Sequence, residues 1–343
     1  MPLLYIHDTS CISPQQNPLA AAAELKMAVD NKLEVTEPTY DGIPPGILRR
    51  MGKAIRIGVG AAMPMLKQTK VDGIIIGTAN GGMEDCIKFL NQIIDYDEGR
   101  LTPGNFVAST TNAIAAQLGL LTSNKGYNIT HVQSGLSFEN AILDAVMMLE
   151  ANTEASFLVG GLDEISAYNY NIDLLGGWYK KTSPPSFYDE DSIGAIAGEG
   201  SAMFVVNGTP ENAKAHLEAI HFFHTTDEAE VAKQMAAFFS KHLTRKTPSV
   251  LITGENGDNR FIRYDKAVES VFTDETTVAR YKHLCGEYAT ASAFALWLAC
   301  EIMTAKKMPA HMVKKQGRSI DFDKILIYNH YKESQHSFML VTC

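Results

Sequence analysis

The chain has few of the features that mark secreted, membrane-spanning or zinc-binding proteins. Its 343 residues include only 5 cysteines, which form neither a CxxC pair nor a zinc-type spacing. Such an odd, scattered set favours reduced thiols in a cytoplasmic protein over a disulfide framework. The N-terminus has no basic region followed by a long apolar run, and no apolar stretch reaches the roughly 20 residues that span a bilayer. We therefore expect a soluble, cytoplasmic protein without a signal peptide or membrane span.

Positive charge is also scarce. The 30 Lys and Arg residues are outnumbered by 39 Asp and Glu residues, which gives a formal net charge of −9. This balance disfavours non-specific binding to nucleic acid or to anionic membranes, although a local basic patch can still dock an acidic protein. The glycine cluster Gly77–Gly82 lacks the spacing and the downstream acid of a dinucleotide fingerprint. We expect no nucleic-acid partner, no cofactor and no metal.

Short apolar runs alternate with longer stretches of helical spacing, which is typical of βαβ units in a layered α/β fold. The hydrophobic share of 45% is enough for a sizeable core. The predicted strands are Leu3–Ile6, Asp72–Gly77, Gly126–Val132, Ala155–Gly161, Ala202–Val206, Ser249–Thr253, Lys324–Tyr328 and Ser337–Val341. The predicted helices are Ile47–Met63, Met83–Tyr96, Asn112–Leu120, Ser134–Glu150, Phe261–Phe272 and Ala289–Thr304.

The chain is too long for one core, since single cores stop growing near roughly 250–300 residues. The polar, Pro- and Gly-punctuated stretch Thr182–Gly200 is predicted to be a loop. Strand–helix patterns on both sides of a break near Gly208–His216 indicate a duplicated unit. We predict two similar halves, residues 1–214 and 215–343.

Four segments carry a resemblance to a known family. A glycine turn, Gly77–Gly82, follows a buried strand, and the segment Thr102–Asn112 precedes the next helix. The most specific match consists of Phe187-Tyr-Asp189, Asp191–Gly194 and Gly198-Glu-Gly200-Ser-Ala202. Lys282 stands four residues before Gly286. Together these segments resemble the β-ketoacyl synthases, the thiolase-fold condensing enzymes of fatty acid and polyketide synthesis, over most of the chain.

The resemblance implies a thiolase-like fold of two similar halves in five αβαβα layers, without a cofactor. It also implies a dimer that forms through the region around the nucleophile. The acyl-pocket or interface candidates in that region are Phe106, Thr110, Asn112, His131 and Ser134.

The chain departs from the family at the catalytic positions. The family's nucleophilic Cys lies between a buried strand and a helix and carries the acyl chain as a thioester. Alignment places Gln133 there, and a carboxamide forms no thioester. The two catalytic His positions correspond to Glu255 and Glu287, and only Lys282 of the family's set remains. An anionic carboxylate cannot serve as an oxyanion donor. We therefore expect no catalytic residues that act in the family's way.

Gln in place of the nucleophile is also a mark of chain-length-factor subunits, which pair with an active ketosynthase in iterative type II polyketide systems. The resemblance therefore implies a non-condensing subunit that acts with a ketosynthase and an acyl carrier protein, as a heterodimer or as a homodimer. Compact chains of this kind occur in aryl-polyene and flexirubin pigment clusters. The alternative is a divergent β-ketoacyl synthase, or a malonyl-carrier-protein decarboxylase with altered catalytic residues. A third hypothesis is a homodimer that only binds acyl chains or the carrier protein.

Each candidate residue also has a structural interpretation. Gln133 could lie beside a helix N-terminus and bond to backbone, and Glu255 could be a surface carboxylate. A Lys282–Glu287 ion pair could fill a vacated pocket, since buried charges are usually paired. His131 is better explained as a satisfied core or interface residue than as a relocated base. Ser134 lacks the Gly-x-Ser-x-Gly elbow of hydrolases.

Overall fold

The computed structural model describes residues 3–97, 99–184, 186–188, 191–243, 247–319 and 321–343. The strands are β1 Leu4–Ile12, β2 Lys32–Leu33, β3 Gly73–Gly77, β4 Tyr127–His131, β5 Ser156–Asp163, β6 Ala197–Gly198, β7 Gly200–Asn207, β8 Ala215–His224, β9 Val250–Thr253, β10 Thr277–Arg280, β11 Val313–Lys315, β12 Lys324–Tyr331 and β13 Gln335–Thr342. The helices are α1 Pro45–Leu48, α2 Lys53–Leu66, α3 Met83–Asp95, α4 Pro103–Ala108, α5 Ala113–Thr122, α6 Ser137–Ala151, α7 Ala167–Leu175, α8 Glu228–His242, α9 Ile262–Glu269, α10 Lys282–Cys285 and α11 Ala291–Ala305.

One strand order occurs twice. The first five-stranded unit runs β4-β3-β5-β7-β1, and the second runs β10-β9-β12-β13-β8. When the five strands of each unit are numbered 1 to 5 in chain order, both units have the order 3-2-4-5-1 in the sheet. The units join where β1 pairs antiparallel with β8, and β11 extends the outer edge of the second unit. We propose residue 214, just before β8, as the boundary between two related halves.

Three apolar clusters define five layers. The central cluster contains residues of α6 and α11 together with inward-facing residues of both five-stranded units. A second cluster packs α2 and α5 on the outer face of the first unit. A third packs α8 and α9 on the outer face of the second unit. Burial of these apolar faces is the main driving force for this arrangement. The predicted α/β thiolase-like fold of five αβαβα layers is therefore confirmed.

Several predicted boundaries were wrong. The single helix predicted over Ile47–Met63 is two helices, α1 and α2, because the chain is extended at Gly52. Helix α2 also passes through Pro64 and ends at Leu66 rather than stopping at the proline. Pro64 lies in the last turn of α2, where few residues follow the interrupted hydrogen bond.

The predicted loop at Thr182–Gly200 contains the short strand β6, which pairs in parallel with β2. The elements of residues 215–242, β8 and α8, were missed. Asp189 of the predicted signature lies outside the described residues. Among the residues that are described, no helix is both long and apolar enough to cross a bilayer.

Glu139 is a fully buried acid in the central layer, and its Oε1 accepts a hydrogen bond from Ser337 Oγ at 2.7 Å. Burial raises the pKa of the Glu139 carboxyl to about 7. Because the folded pKa exceeds the unfolded value near 4.5, the folded state holds this proton more tightly. Its contribution to stability is therefore complete below pH 4.5 and is lost as the pH rises through 7.

We predict that the free energy of unfolding of the wild type, relative to Glu139→Gln, falls by about 3 kcal/mol between pH 4.5 and pH 8. Gln cannot ionise, so the variant lacks this proton-linked loss. Urea unfolding of both proteins across this range measures the difference. The control is Glu154→Gln at an exposed position, which should follow the wild type. Parallel pH curves for the wild type and Glu139→Gln would contradict the prediction.

Candidate functional site

A buried ion pair lies at the centre of the candidate site. Lys282 Nζ is 2.7 and 2.9 Å from the two carboxylate oxygens of Glu287 and donates a third hydrogen bond to the His330 carbonyl at 3.0 Å. Lys282 is fully buried, and Glu287 is 5% exposed. The pair forms because α10 ends at Gly286, whose φ of +75° returns the chain towards Lys282. A Cβ at residue 286 would lie 2.5 Å from the Cα of Gly198, so glycine is required there.

The Glu287 carboxylate also accepts a hydrogen bond from Asn256 Nδ2 at 2.6 Å. Asn256 follows β9 and is buried. The carboxylate is therefore satisfied by one ammonium and one amide. A carboxylate held in this way accepts hydrogen bonds and supplies no donor to a developing oxyanion.

Glu255, the neighbour of Asn256, belongs to a different group. Its two carboxylate oxygens lie 3.1 Å from Arg280 Nη1 and 2.5 Å from Lys314 Nζ. Lys314 also pairs with Glu269 at 2.7 Å. None of the contacts described for Glu255 is to Lys282 or Glu287. The structure therefore brings two of the predicted site residues together and leaves Glu255 in a separate ion-pair network.

The turn between β4 and α6 carries Gln133 and Ser134, and both are exposed. The amide of Leu136 donates to the Gln133 carbonyl at 3.1 Å and closes the turn. Ser134 has a φ of +54°, a left-handed conformation that is uncommon for serine. Gln133 instead has a φ of −129°, and its amide donates to Ser137 Oγ at 2.8 Å. The residue with the unusual backbone at this turn is thus one position after the one that the alignment selected.

The inner side of this turn packs on the hairpin of β12 and β13. The Gly135 amide donates to Gln335 Oε1 at 2.7 Å, and a Cβ at residue 135 would lie 2.3 Å from Tyr331 Cβ. Tyr331 and Tyr179 in turn border two cavities of about 10 Å³ each, one of which Glu287 also lines. A space of this size holds at most one water molecule. Tyrosine side chains therefore occupy the region between the turn and the Lys282–Glu287 pair.

Trp178 lines the cavity beside Glu287 as well, and cations flank its ring. The Arg260 guanidinium is 5.2 Å and the Lys332 ammonium 5.1 Å from the ring centre. Lys332 is anchored by Asp173 at 2.8 Å, and Arg260 by Asp258. These cation–π contacts hold the indole in place.

The remaining candidates lie around the edge strand β4. His131 Nε2 is 2.8 Å from Asp144 Oδ2, so its ring is satisfied, as the structural interpretation expected. Thr130 Oγ1 donates to Asn112 Oδ1 at 2.9 Å, which ties the start of α5 to β4. Thr110 is exposed, and Phe106 is 58% exposed. These residues lie around one edge of the sheet, on both of its faces.

Sequence reasoning missed Asn256, Tyr179 and Tyr331; Asn256 begins a turn after β9, in which its Oδ1 accepts a hydrogen bond from the Asp258 amide. Gly257, with a φ of +77°, makes that turn and follows Asn256 directly. The signal available for Asn256 was an asparagine followed directly by a glycine near the end of a buried strand. No comparable signal marked the two tyrosines, because their role depends on how distant segments pack.

Residues 21–172 match the family model described as the N-terminal domain of β-ketoacyl synthase. No curated protein sequence matches the chain significantly.

Solved structures of β-ketoacyl synthases share the fold over the whole chain. A β-ketoacyl synthase from Burkholderia phymatum STM815 aligns with a TM-score of 0.75 and 14% identity, and the alignment covers 100% of both chains. The complex of the ketosynthase ApeO with its chain length factor ApeC from Xenorhabdus doucetiae aligns with a TM-score of 0.77 and 12% identity, over 99% of this chain and 97% of that chain. AntDE:AntF, a type II acyl-carrier protein in complex with its ketosynthase, aligns with a TM-score of 0.74 and 10% identity, over 100% and 99% of the two chains.

We predict that Lys282→Met alone lowers the free energy of unfolding by about 3–5 kcal/mol, because it leaves a buried carboxylate without its cation. The double variant Lys282→Met/Glu287→Leu should lose less, since both charges are gone. Urea unfolding of Lys282→Met, of Glu287→Leu and of the double variant measures the energetic coupling between the two side chains. Additive losses would contradict the view that the pair acts as one unit.

Proposed function

We propose that the chain is a β-ketoacyl synthase-like protein, and more narrowly a non-condensing subunit of the chain-length-factor type. In this role it acts with an active ketosynthase and an acyl carrier protein in polyketide- or fatty-acid-type synthesis. The observation that carries the proposal is the Lys282–Glu287–Asn256 group, which occupies the centre of the site as a closed, satisfied cluster.

The lack of a suitable thiol supports the proposal. Cys285 lies on α10 close to Lys282 and is fully buried. Burial raises the pKa of its thiol well above the ordinary range, so the thiol stays protonated. Its sulfur donates to the Gly286 carbonyl at 3.3 Å. A buried, protonated thiol is a poor nucleophile for a thioester.

The lack of space supports it as well. A substrate tunnel needs room for an acyl chain beside the nucleophile, whereas the cavities that border Tyr179 and Tyr331 hold about 10 Å³ each. A condensing site would also need donors aimed at the reacting carbonyl. At this position the Glu287 carboxylate accepts hydrogen bonds and donates none.

The surface around β4 fits a partner subunit. Strand β4 is at the end of the sheet, so one side of its backbone is unpaired within the described chain. Exposed apolar side chains belong to the elements beside it, α3, α4 and α6, and to the turn after it; they are Leu90, Ile94, Phe106, Val107, Val132, Leu143 and Met147. An exposed edge strand with apolar surroundings is a template for pairing with another chain. We propose that the partner ketosynthase, or a second copy, covers this surface.

Ser134 favours the second candidate, a divergent acyltransferase or decarboxylase. Its left-handed backbone at a strand-to-helix turn exposes the hydroxyl at the position beside the expected nucleophile. A serine nucleophile needs an adjacent base. The described contacts of the nearby His131 include one to Asp144 and none to the Ser134 hydroxyl, so the serine has no base positioned beside it, and this makes the serine mechanism the weaker proposal.

We predict no covalent acyl adduct on the chain after incubation with acyl-carrier-protein thioesters, because the described residues place no activated nucleophile beside the Lys282–Glu287 pair. Intact-mass spectrometry followed by peptide mapping measures this. The Ser134→Ala variant is the matched control and should give the same unmodified mass. Acylation mapped to the peptide that contains Gln133 and Ser134, and lost in Ser134→Ala, would establish the second candidate instead.

We predict that Val107→Asp disrupts co-purification with the partner ketosynthase, because a buried unpaired carboxylate at an interface is costly. Leu175→Asp is the matched control: Leu175 is 89% exposed on α7, on a different element from the proposed interface. Pull-down with size-exclusion chromatography measures complex formation. In complexes that form, Phe106→Ala should change the length of the product if this segment bounds the acyl chain. A complex that forms equally well with Val107→Asp would contradict the proposed interface.

A further inference from the structure

A larger cavity than those beside Tyr331 has neither Lys282 nor Glu287 in its lining and plays no part in the proposed function. Its volume is about 270 Å³, and it opens between the N-terminal strap, residues 20–33, and a facing wall made by residues 184, 186–188 and 196. The apolar lining residues are Ala22, Leu25, Met27, Leu33, Phe187 and Ile196. Leu33 and Ile196 form a buried floor, while Met27 on the strap is 65% exposed. The cavity therefore has an apolar interior and an open side.

A chain of hydrogen bonds forms its polar wall. The Tyr188 hydroxyl accepts from the His283 backbone amide at 3.1 Å and is 3.0 Å from His283 Nδ1. His283 Nε2 is 2.9 Å from His311 Nδ1, and His311 Nε2 is 3.2 Å from the Ala20 carbonyl.

The donor and the acceptor of each hydrogen bond in this wall follow from the groups at its two ends, the His283 backbone amide and the Ala20 carbonyl. Because the Tyr188 hydroxyl accepts from an amide, it gives its own proton to His283 Nδ1. His283 must then donate from Nε2 to His311, which donates from its Nε2 to the Ala20 carbonyl. Both imidazoles are neutral, in keeping with burial, which lowers the pKa of His283 to about 3 and also lowers that of His311. Every imidazole N–H is in use, so this wall offers a ligand no vacant imidazole donor.

The available donor is at the rim. Lys26 is exposed, and its ammonium donates one hydrogen bond to the Glu34 carbonyl at 2.5 Å, which leaves two N–H groups. Lys26 is the one charged side chain among the described residues that line this cavity, since its histidines are neutral. Glu24 lines a neighbouring groove and does not line this cavity, whereas Lys26 lines both.

We propose that this cavity binds a medium-chain carboxylate, with the alkyl chain between the strap and the wall of residues 184, 186–188 and 196, and the carboxylate against the Lys26 ammonium. At about 30 Å³ for each water-sized group, the cavity holds about nine such groups. Octanoate, with about ten non-hydrogen atoms, matches this size. The apolar floor buries the chain, and the single cation at the rim selects an anionic head.

The test is a calorimetric titration of the full-length chain with octanoate, with octylamine as a probe of the same length and opposite charge. Saturable binding of one octanoate, tighter than that of octylamine, is expected. Lys26→Met keeps the apolar stem and should weaken octanoate binding about three- to five-fold, as for an exposed ion pair. Lys67→Met is the matched control, because Lys67 also donates to a backbone carbonyl, that of Asp41, and lies outside this cavity.

Two further measurements place the ligand. Ala28→Trp fills the cavity and should abolish binding. In the wild type, octanoate should shift the imidazole NMR signals of His311 and leave those of His131, which pairs with Asp144, unchanged. The NMR result decides the matter if Ala28→Trp fails to fold. Absence of saturable binding, equal weakening by Lys26→Met and Lys67→Met, or unshifted His311 signals would each overturn the proposal. Each outcome is independent of the role of the Lys282–Glu287 group.

Discussion

The ion pair between Lys282 and Glu287 constrains the centre of the molecule. A fully buried ammonium is tolerated only when its charge is compensated, and here one carboxylate and one carbonyl do so. This geometry requires a left-handed glycine at residue 286, and the residue after it, Glu287, is held on both its amide and its carbonyl by residues 196 and 198. The Glu287 amide donates to the Ile196 carbonyl at 2.8 Å, and the Gly198 amide donates to the Glu287 carbonyl at 2.9 Å. The pair therefore fixes how the loop after α10 meets β6.

The sequence predicted the fold well where apolar patterns are local. Strand β3 and the hairpin of β12 and β13 were recognised because buried strands read as short apolar runs between turns. The pair β8 and α8 was missed because their sequences mix aromatic, histidine and charged residues without clear periodicity. Helix α3 was recognised as amphipathic, yet Ile94 on its apolar face is 77% exposed. Periodicity identifies an apolar face, but only the tertiary structure shows whether this chain or another one covers it.

At two places the residue that the alignment selected stands next to the residue that the geometry distinguishes. The interval from Lys282 to Gly286 located Glu287, because that spacing is set by one short helix. At the end of β9 the alignment selected Glu255, whereas Asn256 contacts Glu287. Successive side chains in extended backbone point to opposite sides, so an error of one residue exchanges a site residue for a residue of another network. The turn at Gln133 and Ser134 is ambiguous by one residue as well. Its left-handed residue is a serine, and serine, unlike glycine, does not indicate a left-handed backbone.

The pairing of β1 with β8 has a consequence for how the molecule folds. Through this short antiparallel contact the two five-stranded units form one hydrogen-bonded sheet, and α6 and α11 are enclosed between them. If one unit unfolds, the inward-facing apolar residues of the other unit become exposed to solvent. Amide hydrogen exchange in the central strands of both units should therefore report a single global opening event. The two five-stranded units therefore form one cooperative structure, in which neither unit retains an independent folding equilibrium.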